Sequence, residues 1–101
     1  MNTSSEGPDR VEFKTLRLGS WIDVETKRRH YHIECLGGNE IRISGHPEYC
    51  PQPMPAQLQG CIDKEGEFIE PGMKLMFFLD GDRAVRTSEI ISVKVAQPSV
   101  Q

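Results

Sequence analysis

The chain has 101 residues and a formal net charge of −3, and this length suits one domain with a single hydrophobic core. Its lysines and arginines are spread without a dense cluster, so the charge disfavours capture of nucleic acid or an anionic membrane, while leaving room for a local basic patch. No apolar run approaches the roughly 20 residues of a transmembrane helix, and the start lacks a secretory signal. We therefore expect a cytoplasmic protein without a membrane segment.

The two ends of the chain differ in composition from its middle. Residues 1–9 are almost entirely polar and rich in Ser, Gly and Pro, which predicts a disordered tail. We expect a single β domain over residues 10–95 and a short C-terminal tail over 96–101. A first strand is predicted over 11–19, with a bend near Thr15 that keeps its four apolar side chains on one side of a sheet.

Residues 20–44 predict an antiparallel meander of three strands. Apolar and polar side chains alternate there, which is typical of a sheet with one buried and one wet face. A turn on Thr26 and Lys27 would pair Ile22 with Tyr31 on the buried face. The predicted strands are Trp21–Glu25, Arg28–Cys35 and Glu40–Ser44.

The second turn of this meander follows from the alternation. A two-residue turn on the paired glycines would set Ile33 opposite Arg42 and mix apolar with charged side chains on one face. A three-residue loop over 37–39, Gly-Gly-Asn, avoids this, and all three residue types tolerate positive φ. The resulting predicted pairs are Cys35 with Ile41, Ile33 with Ile43, and Glu34 with Arg42.

Prolines mark the connection that follows. Residues 45–55, GHPEYCPQPMP, predict the longest irregular loop inside the fold, because proline removes backbone donors from strands and helices. Loops of this kind are where binding sites usually lie. A hairpin is predicted next, from residues 57–63 and 67–70 with its turn at 64–66.

The most apolar stretch is 73–79, MKLMFFL, which predicts a strand buried on both sides or at a crowded barrel position. The following Asp-Gly pair at 80–81 signals a hairpin whose second strand runs over 84–87. Its register stays open, because a two-residue loop pairs Met76 with Val85 and a three-residue loop pairs Phe77 with Val85. A last strand is predicted over 89–95.

Seven to eight short strands separated by Gly, Pro, Asn or Asp turns predict an all-β single domain. The expected architecture is a small antiparallel barrel, SH3-like or related, and the alternative is a compact sandwich of about seven strands. The barrel is preferred because closure removes the exposed edges that invite aggregation in so short a chain.

The outward face of the meander is the best candidate for function, because exposed Trp and Arg side chains anchor protein partners or stack on bases. We predict a non-catalytic binding module that engages a protein partner or a second copy of the chain. Single-stranded nucleic acid on the Trp21, His32 and Arg42 face is the alternative, which the missing basic surplus disfavours. The candidate binding residues are Trp21, Arg28, His30, His32, Arg42 and Tyr49.

Metal or thiol chemistry is a weaker alternative. Only His46 and Cys50 form a closely spaced ligand pair, and the odd number of cysteines favours reduced thiols, so we expect no metal and no cofactor. Cys50 as a nucleophile with His46 as its base lacks a supporting flanking signature. The sequence contains no GxxxxGK, HExxH or GxSxG motif and no GxGxxG after a strand, so no enzyme activity is expected. The weak metal candidates are Cys35, His46, Cys50 and Cys61.

Overall fold

The computed structural model describes residues 11–61, 68–79 and 83–97. They form a closed antiparallel barrel in which each strand pairs with its neighbours in sequence order and the last strand pairs with the first. The six strands are β1 (Trp21–Thr26), β2 (His30–Cys35), β3 (Glu40–Ser44), β4 (Met54–Cys61), β5 (Lys74–Leu79) and β6 (Arg83–Ala96). The predicted all-β barrel is confirmed, with fewer and longer strands than expected. No helix in the described ranges is long and apolar enough to cross a bilayer.

Alternation along each strand builds the core of the barrel. In β1, β2, β3 and β5 every second residue is buried, and the residues between them face outward. The largest side chains with less than 2 % of their surface exposed include Ile22, Ile33, Ile41, Ile43, Leu58, Leu75, Phe77 and Ile90. Because the barrel is closed, these inward side chains pack against one another rather than against a second sheet.

The predicted register of the first hairpin is wrong by two residues. Ile22 lies opposite Ile33, and Val24 lies opposite Tyr31. The cause is Thr26, which remains in β1 because its amide and its hydroxyl both donate to the carbonyl of Arg29, at 2.7 and 2.9 Å. A shift by two residues keeps the parity, so the inward and outward sets remain as predicted.

The predicted register of the second hairpin is confirmed. Ile33 lies opposite Ile43, Cys35 opposite Ile41, and Glu34 opposite Arg42. The loop over 37–39 has φ of 109° at its first glycine and 58° at its second, which glycine adopts without strain. The backbone amide at 36 donates to the carbonyl at 40 at 2.9 Å and closes the three-residue loop.

The strand predicted over 11–19 is wrong. Phe13–Thr15 is a 3-10 turn, and Val11 makes only an isolated bridge to Ile69. Thr15 stabilises the turn, since its amide and hydroxyl both donate to the carbonyl of Glu12. β1 and β6 already pair with each other, which leaves no free barrel edge for an additional strand. Phe13 instead caps the core as a buried side chain.

The irregular loop after β3 is confirmed, although β4 begins at Met54, within its predicted range, and places Pro55 opposite Arg42. The turn of the hairpin predicted at 64–66 lies outside the described residues. Its predicted second strand does not pair with β4, since β3 and β5 occupy the two edges of β4. The predicted tails lie outside the described residues too, except that β6 includes Ala96 and the description ends at residue 97.

β5 and β6 pair in the register of a three-residue loop, with Phe77 opposite Val85, while the turn over 80–82 lies outside the described residues. The two strands predicted over 84–87 and 89–95 are one continuous strand. Two bulges bend it from β5 toward β1, each adding one residue to β6: between positions 86 and 89, and at Ile91. The second bulge turns both Ile90 and Val93 inward and leaves Ile91 51 % exposed.

Candidate functional site

The outer face of β1–β3 carries an aromatic pair at its centre. Trp21 lies opposite Glu34 in register, and its ring stacks on the diagonal neighbour His32, with 4.0 Å between ring centroids. The tryptophan is 36 % exposed. We call this face the tryptophan surface and define it as Trp21, Asp23, His30, His32, Glu34 and Arg42.

Asp23 also fixes the imidazole of His32, whose ring stacks on Trp21. His32 Nδ1 lies 2.5 Å from Asp23 Oδ1, and His30 Nε2 lies 3.9 Å from the same oxygen. This arrangement follows from the corrected register, which puts His32 directly opposite Asp23. An imidazole fixed on both sides gives the tryptophan ring a fixed platform, and this limits the side-chain entropy that a partner would have to remove.

Arg42 and Glu34 form the charged edge of the tryptophan surface. Arg42 donates from Nη1 to Glu34 Oε1 at 2.9 Å. Both side chains remain partly exposed, so the pair is worth only about 0–1 kcal/mol to stability. Its greater effect is on orientation, because it ties the guanidinium of Arg42 to the neighbouring strand.

Two of the predicted binding residues lie elsewhere. Arg28 is in the β1–β2 turn, at the opposite end of β1 from Trp21, and five residues of strand at roughly 3.3 Å each separate that end from the tryptophan. Tyr49 lies in the loop between β3 and β4, where its ring stacks on His46 with 4.4 Å between centroids and is 40 % exposed. The structure therefore brings together Trp21, His30, His32 and Arg42, but not all six residues.

His46 is locked in one orientation by its own loop. Its Nδ1 accepts hydrogen bonds from the amides of Glu48 and Tyr49 at 3.1 and 3.2 Å. Burial lowers the pKa of His46, and the nearby guanidinium of Arg29 lowers it further. A neutral ring whose Nδ1 accepts carries its proton on Nε2.

The thiols of Cys35 and Cys50 are free and buried in the core. Burial raises the pKa of both, which disfavours the thiolate form that a nucleophile needs. Cys50 meets His46 through backbone hydrogen bonds, while the Nδ1 of that ring is occupied by loop amides. The described residues bring no three potential metal-binding side chains together. Cys61, the last residue of β4, pairs with Leu75 of β5. The side chain of Cys61 lies outside the part of the chain that the structure describes.

A second feature, of which the sequence indicated only Arg28, is a cluster of positive charge. Five cationic side chains gather at the end of the barrel where the β1–β2 turn approaches the first bulge of β6. They line an open groove of about 600 Å³ and an adjoining cavity of about 150 Å³. We call it the arginine groove; its residues are Lys27, Arg28, Arg29, Lys74, Arg86, Thr87, Ser88 and Glu89, and Tyr31 and His46 complete the small cavity.

The sequence signal for this groove is weak. The sequence shows three consecutive basic residues over 27–29. Lys74 and Arg86 lie about 45 and 60 positions further along the chain, and only strand pairing brings them to this run. No protein-family model matches the sequence, and neither a curated protein nor a solved structure matches the chain. We therefore infer function from the geometry of the two surfaces.

Proposed function

We propose that the protein is a non-catalytic binding module of the cytoplasm, and that its tryptophan surface engages a protein partner. The observation that carries the proposal is the stack of Trp21 on His32, with His32 fixed in turn by Asp23. Interface hot spots are enriched in Trp and Arg side chains that are already positioned before the partner arrives. Trp21 and Arg42 occupy such positions on adjacent hairpins.

The charge around Trp21 indicates the chemistry of the partner. The outward positions of β1–β3 include four carboxylates, whereas Arg42 is already paired with Glu34. These carboxylates are Asp23, Glu25, Glu34 and Glu40. A phosphate backbone would be repelled by them, so this charge distribution favours a protein segment over a single-stranded nucleic acid. The segment would present an apolar side chain to Trp21, with basic residues beside it.

Exposed apolar side chains near the tryptophan extend the contact area. Leu18 is 68 % exposed and approaches the 37–39 loop, where its Cδ1 lies 3.8 Å from the place that a Cβ on Gly37 would occupy. The exposed Ala96 lies opposite Trp21 across the β1–β6 pair. An apolar centre with a charged rim is the usual organisation of a protein interface.

The test is quantitative capture of partner protein by immobilised wild-type chain, compared with Trp21→Ala and Arg42→Ala. Tyr49→Ala is the matched control, since Tyr49 is also an exposed aromatic residue but lies outside the tryptophan surface. Trp21→Ala should remove the captured band, Arg42→Ala should weaken it, and Tyr49→Ala should leave it unchanged. Equal capture by all variants at unchanged melting temperature would overturn the proposal. Sedimentation of the isolated chain shows whether a second copy is the partner.

A further inference from the structure

The arginine groove is a distinct feature whose position is fixed by the backbone. The amide of Lys27 donates to the carbonyl of Glu89 at 3.0 Å, and the amide of Arg28 donates to Ser88 Oγ at 3.2 Å. These bonds connect the β1–β2 turn directly to the bulge of β6. Bulges often redirect side chains at functional sites, and this one directs the segment from Arg86 to Glu89 toward the turn.

Thr26 makes the turn itself rigid. Its buried hydroxyl accepts the amides of Arg28 and Arg29, at 3.4 and 3.0 Å, and donates to the carbonyl of Arg29. Thr87 has the same role on the opposite side, because its hydroxyl accepts the amide of Leu75 at 3.0 Å and donates to the carbonyl of Ser88. The backbones that carry the arginines are thus held in place by two buried hydroxyls, which lowers the ordering cost of binding.

The groove has an excess of positive charge that the described residues do not neutralise. Its carboxylate, Glu89, lies 3.3 Å from Lys27 Nζ. Within residues 11–61, 68–79 and 83–97, no carboxylate forms an ion pair with Arg28, Arg29 or Arg86. Guanidinium groups recognise phosphate and carboxylate groups through paired N–H donors, so an anionic ligand can supply the missing charge.

The small cavity offers several donors. Arginine has five N–H donors and no acceptor, and three arginines line this cavity. His46 adds an Nε2–H, because its Nδ1 already accepts two amides. Ser88 Oγ accepts the amide of Arg28, and its own proton is available to donate. A ligand that matches this set must carry several acceptor oxygens and more than one negative charge.

A phosphoryl group meets these requirements better than a carboxylate. It presents three strong acceptor oxygens and a charge between about −1.5 and −2 at neutral pH, whereas a carboxylate presents two oxygens and one charge. The cavity of about 150 Å³ is below the roughly 300–1,000 Å³ of a site for a whole drug-sized ligand. It therefore suits one phosphoryl group, while the adjoining groove of about 600 Å³ leaves space for the rest of the molecule.

We propose that the arginine groove binds a phosphate monoester, with the phosphoryl oxygens in the small cavity among Arg28, Arg29 and Arg86 and the ester substituent lying in the groove. Lys74 borders the substituent rather than the phosphoryl group, since it lines the groove but not the cavity. Trp21 takes no part in this binding, because it lies at the other end of β1.

Isothermal titration calorimetry of the full chain with glycerol phosphate tests the proposal. Inorganic phosphate, sulfate and acetate are titrated at equal ionic strength for comparison. We expect one site that prefers the two phosphates over acetate. Arg86→Gln should weaken phosphate binding about tenfold or more, the effect of one lost charge-assisted hydrogen bond. Arg86→Lys should fall between wild type and Arg86→Gln, since it keeps the charge without the planar fork.

Arg42→Gln is the matched control, because it makes the same change of charge on the other surface of the barrel. It should leave phosphate affinity within a factor of about two. An equal loss in Arg42→Gln and Arg86→Gln would show a general effect of charge and overturn the proposal. The absence of binding heat with either phosphate at millimolar concentration would also overturn the proposal. An oligothymidylate is titrated as well, and binding to it alone would indicate a surface for polyanions and overturn the proposal. Melting temperatures of all variants establish that each is folded.

Discussion

The tryptophan surface and the arginine groove are built in different ways on the same barrel. The tryptophan surface lies on two regular hairpins, where each outward side chain follows from the alternation of β1, β2 and β3. The arginine groove lies where regularity fails, at a tight turn and a bulge that are brought together by barrel closure. The first is a stacked aromatic surface among carboxylates, and the second is a concave cationic site. The two surfaces therefore differ in shape and charge although they belong to one small barrel.

The largest expected effect concerns the loop that supplies His46 to the groove. Gly45 has φ of 130°, and a Cβ at this position would collide with the carbonyl oxygen of His30 and approach Tyr31 Cα at 3.0 Å. Gly45→Ala should lower the free energy of unfolding by about 3 kcal/mol, since strain and a backbone clash act together. Urea denaturation measures this directly.

Gly38→Ala is the control for that experiment. Gly38 also has positive φ, at 58°, but a Cβ there would meet open space. Its cost should be limited to about 1 kcal/mol from the backbone conformation alone. If the two variants lost the same stability, the close packing of the 45–53 loop against β2 would be wrong.

The next effect tests whether the turn of the groove is prepositioned by Thr26. Thr26→Val keeps the shape of the buried side chain and removes the hydroxyl that binds Arg28 and Arg29. We expect a loss of about 1–3 kcal/mol, because the partly buried amide of Arg29 loses its acceptor, together with weaker binding of glycerol phosphate. Thr26→Ser keeps the hydroxyl and should retain most of the phosphate affinity. Full phosphate binding by folded Thr26→Val would show that the groove does not depend on this turn.

A reciprocal exchange then tests the independence of the two surfaces. Trp21→Ala should abolish capture of the protein partner and leave glycerol phosphate affinity within a factor of about two, since Trp21 lies at the far end of β1 from the groove. Arg86→Gln should show the reverse pattern. Partner capture and glycerol phosphate affinity are measured for both variants. If either folded variant lost both partner capture and phosphate binding, the two surfaces would be one site.

The smallest effect is electrostatic and local. Burial and Arg29 lower the pKa of His46, so its ring should titrate below the ordinary value of 6.5 in an NMR titration. Since the fold favours the neutral ring, the stability it contributes is present above that value and is lost as the pH falls through the lowered pKa. Arg29→Gln should raise the pKa partway, because burial, the larger cause, remains. An unchanged pKa of His46 in Arg29→Gln would remove Arg29 from the vicinity of the ring.

Much of the barrel was predictable because it depends on local alternation. The pairing of Ile33 with Ile43, and the outward position of Trp21 and His32, follow from parity and from the glycines at 37 and 38. The first hairpin was shifted because the sequence does not reveal that the Thr26 hydroxyl would satisfy the turn. Parity still held, which is why the outward positions of Trp21 and His32 were predicted correctly despite the wrong partners.

The groove was missed for a physical reason of a different kind. Its cations come together through the bulges of β6, which add a residue to that strand without a clear mark in the sequence. Apolar and polar side chains alternate with opposite phase before and after Ile90 and Ile91, so the sequence predicts two short strands. In the closed barrel these residues form a single bent strand. Similarly, Phe13 alternates like a strand residue but lies in a turn, because no barrel edge is free for it.

The claim that these are two separate surfaces is tested most directly by ¹H–¹⁵N NMR of the full chain titrated with glycerol phosphate. The amides of Arg28, Arg29, Thr87 and Ser88 should shift progressively and saturate together. The indole N–H of Trp21 and the amide of Arg42 should not move. Shifts centred on Trp21, or shifts spread evenly over both ends of the barrel without saturation, would contradict it.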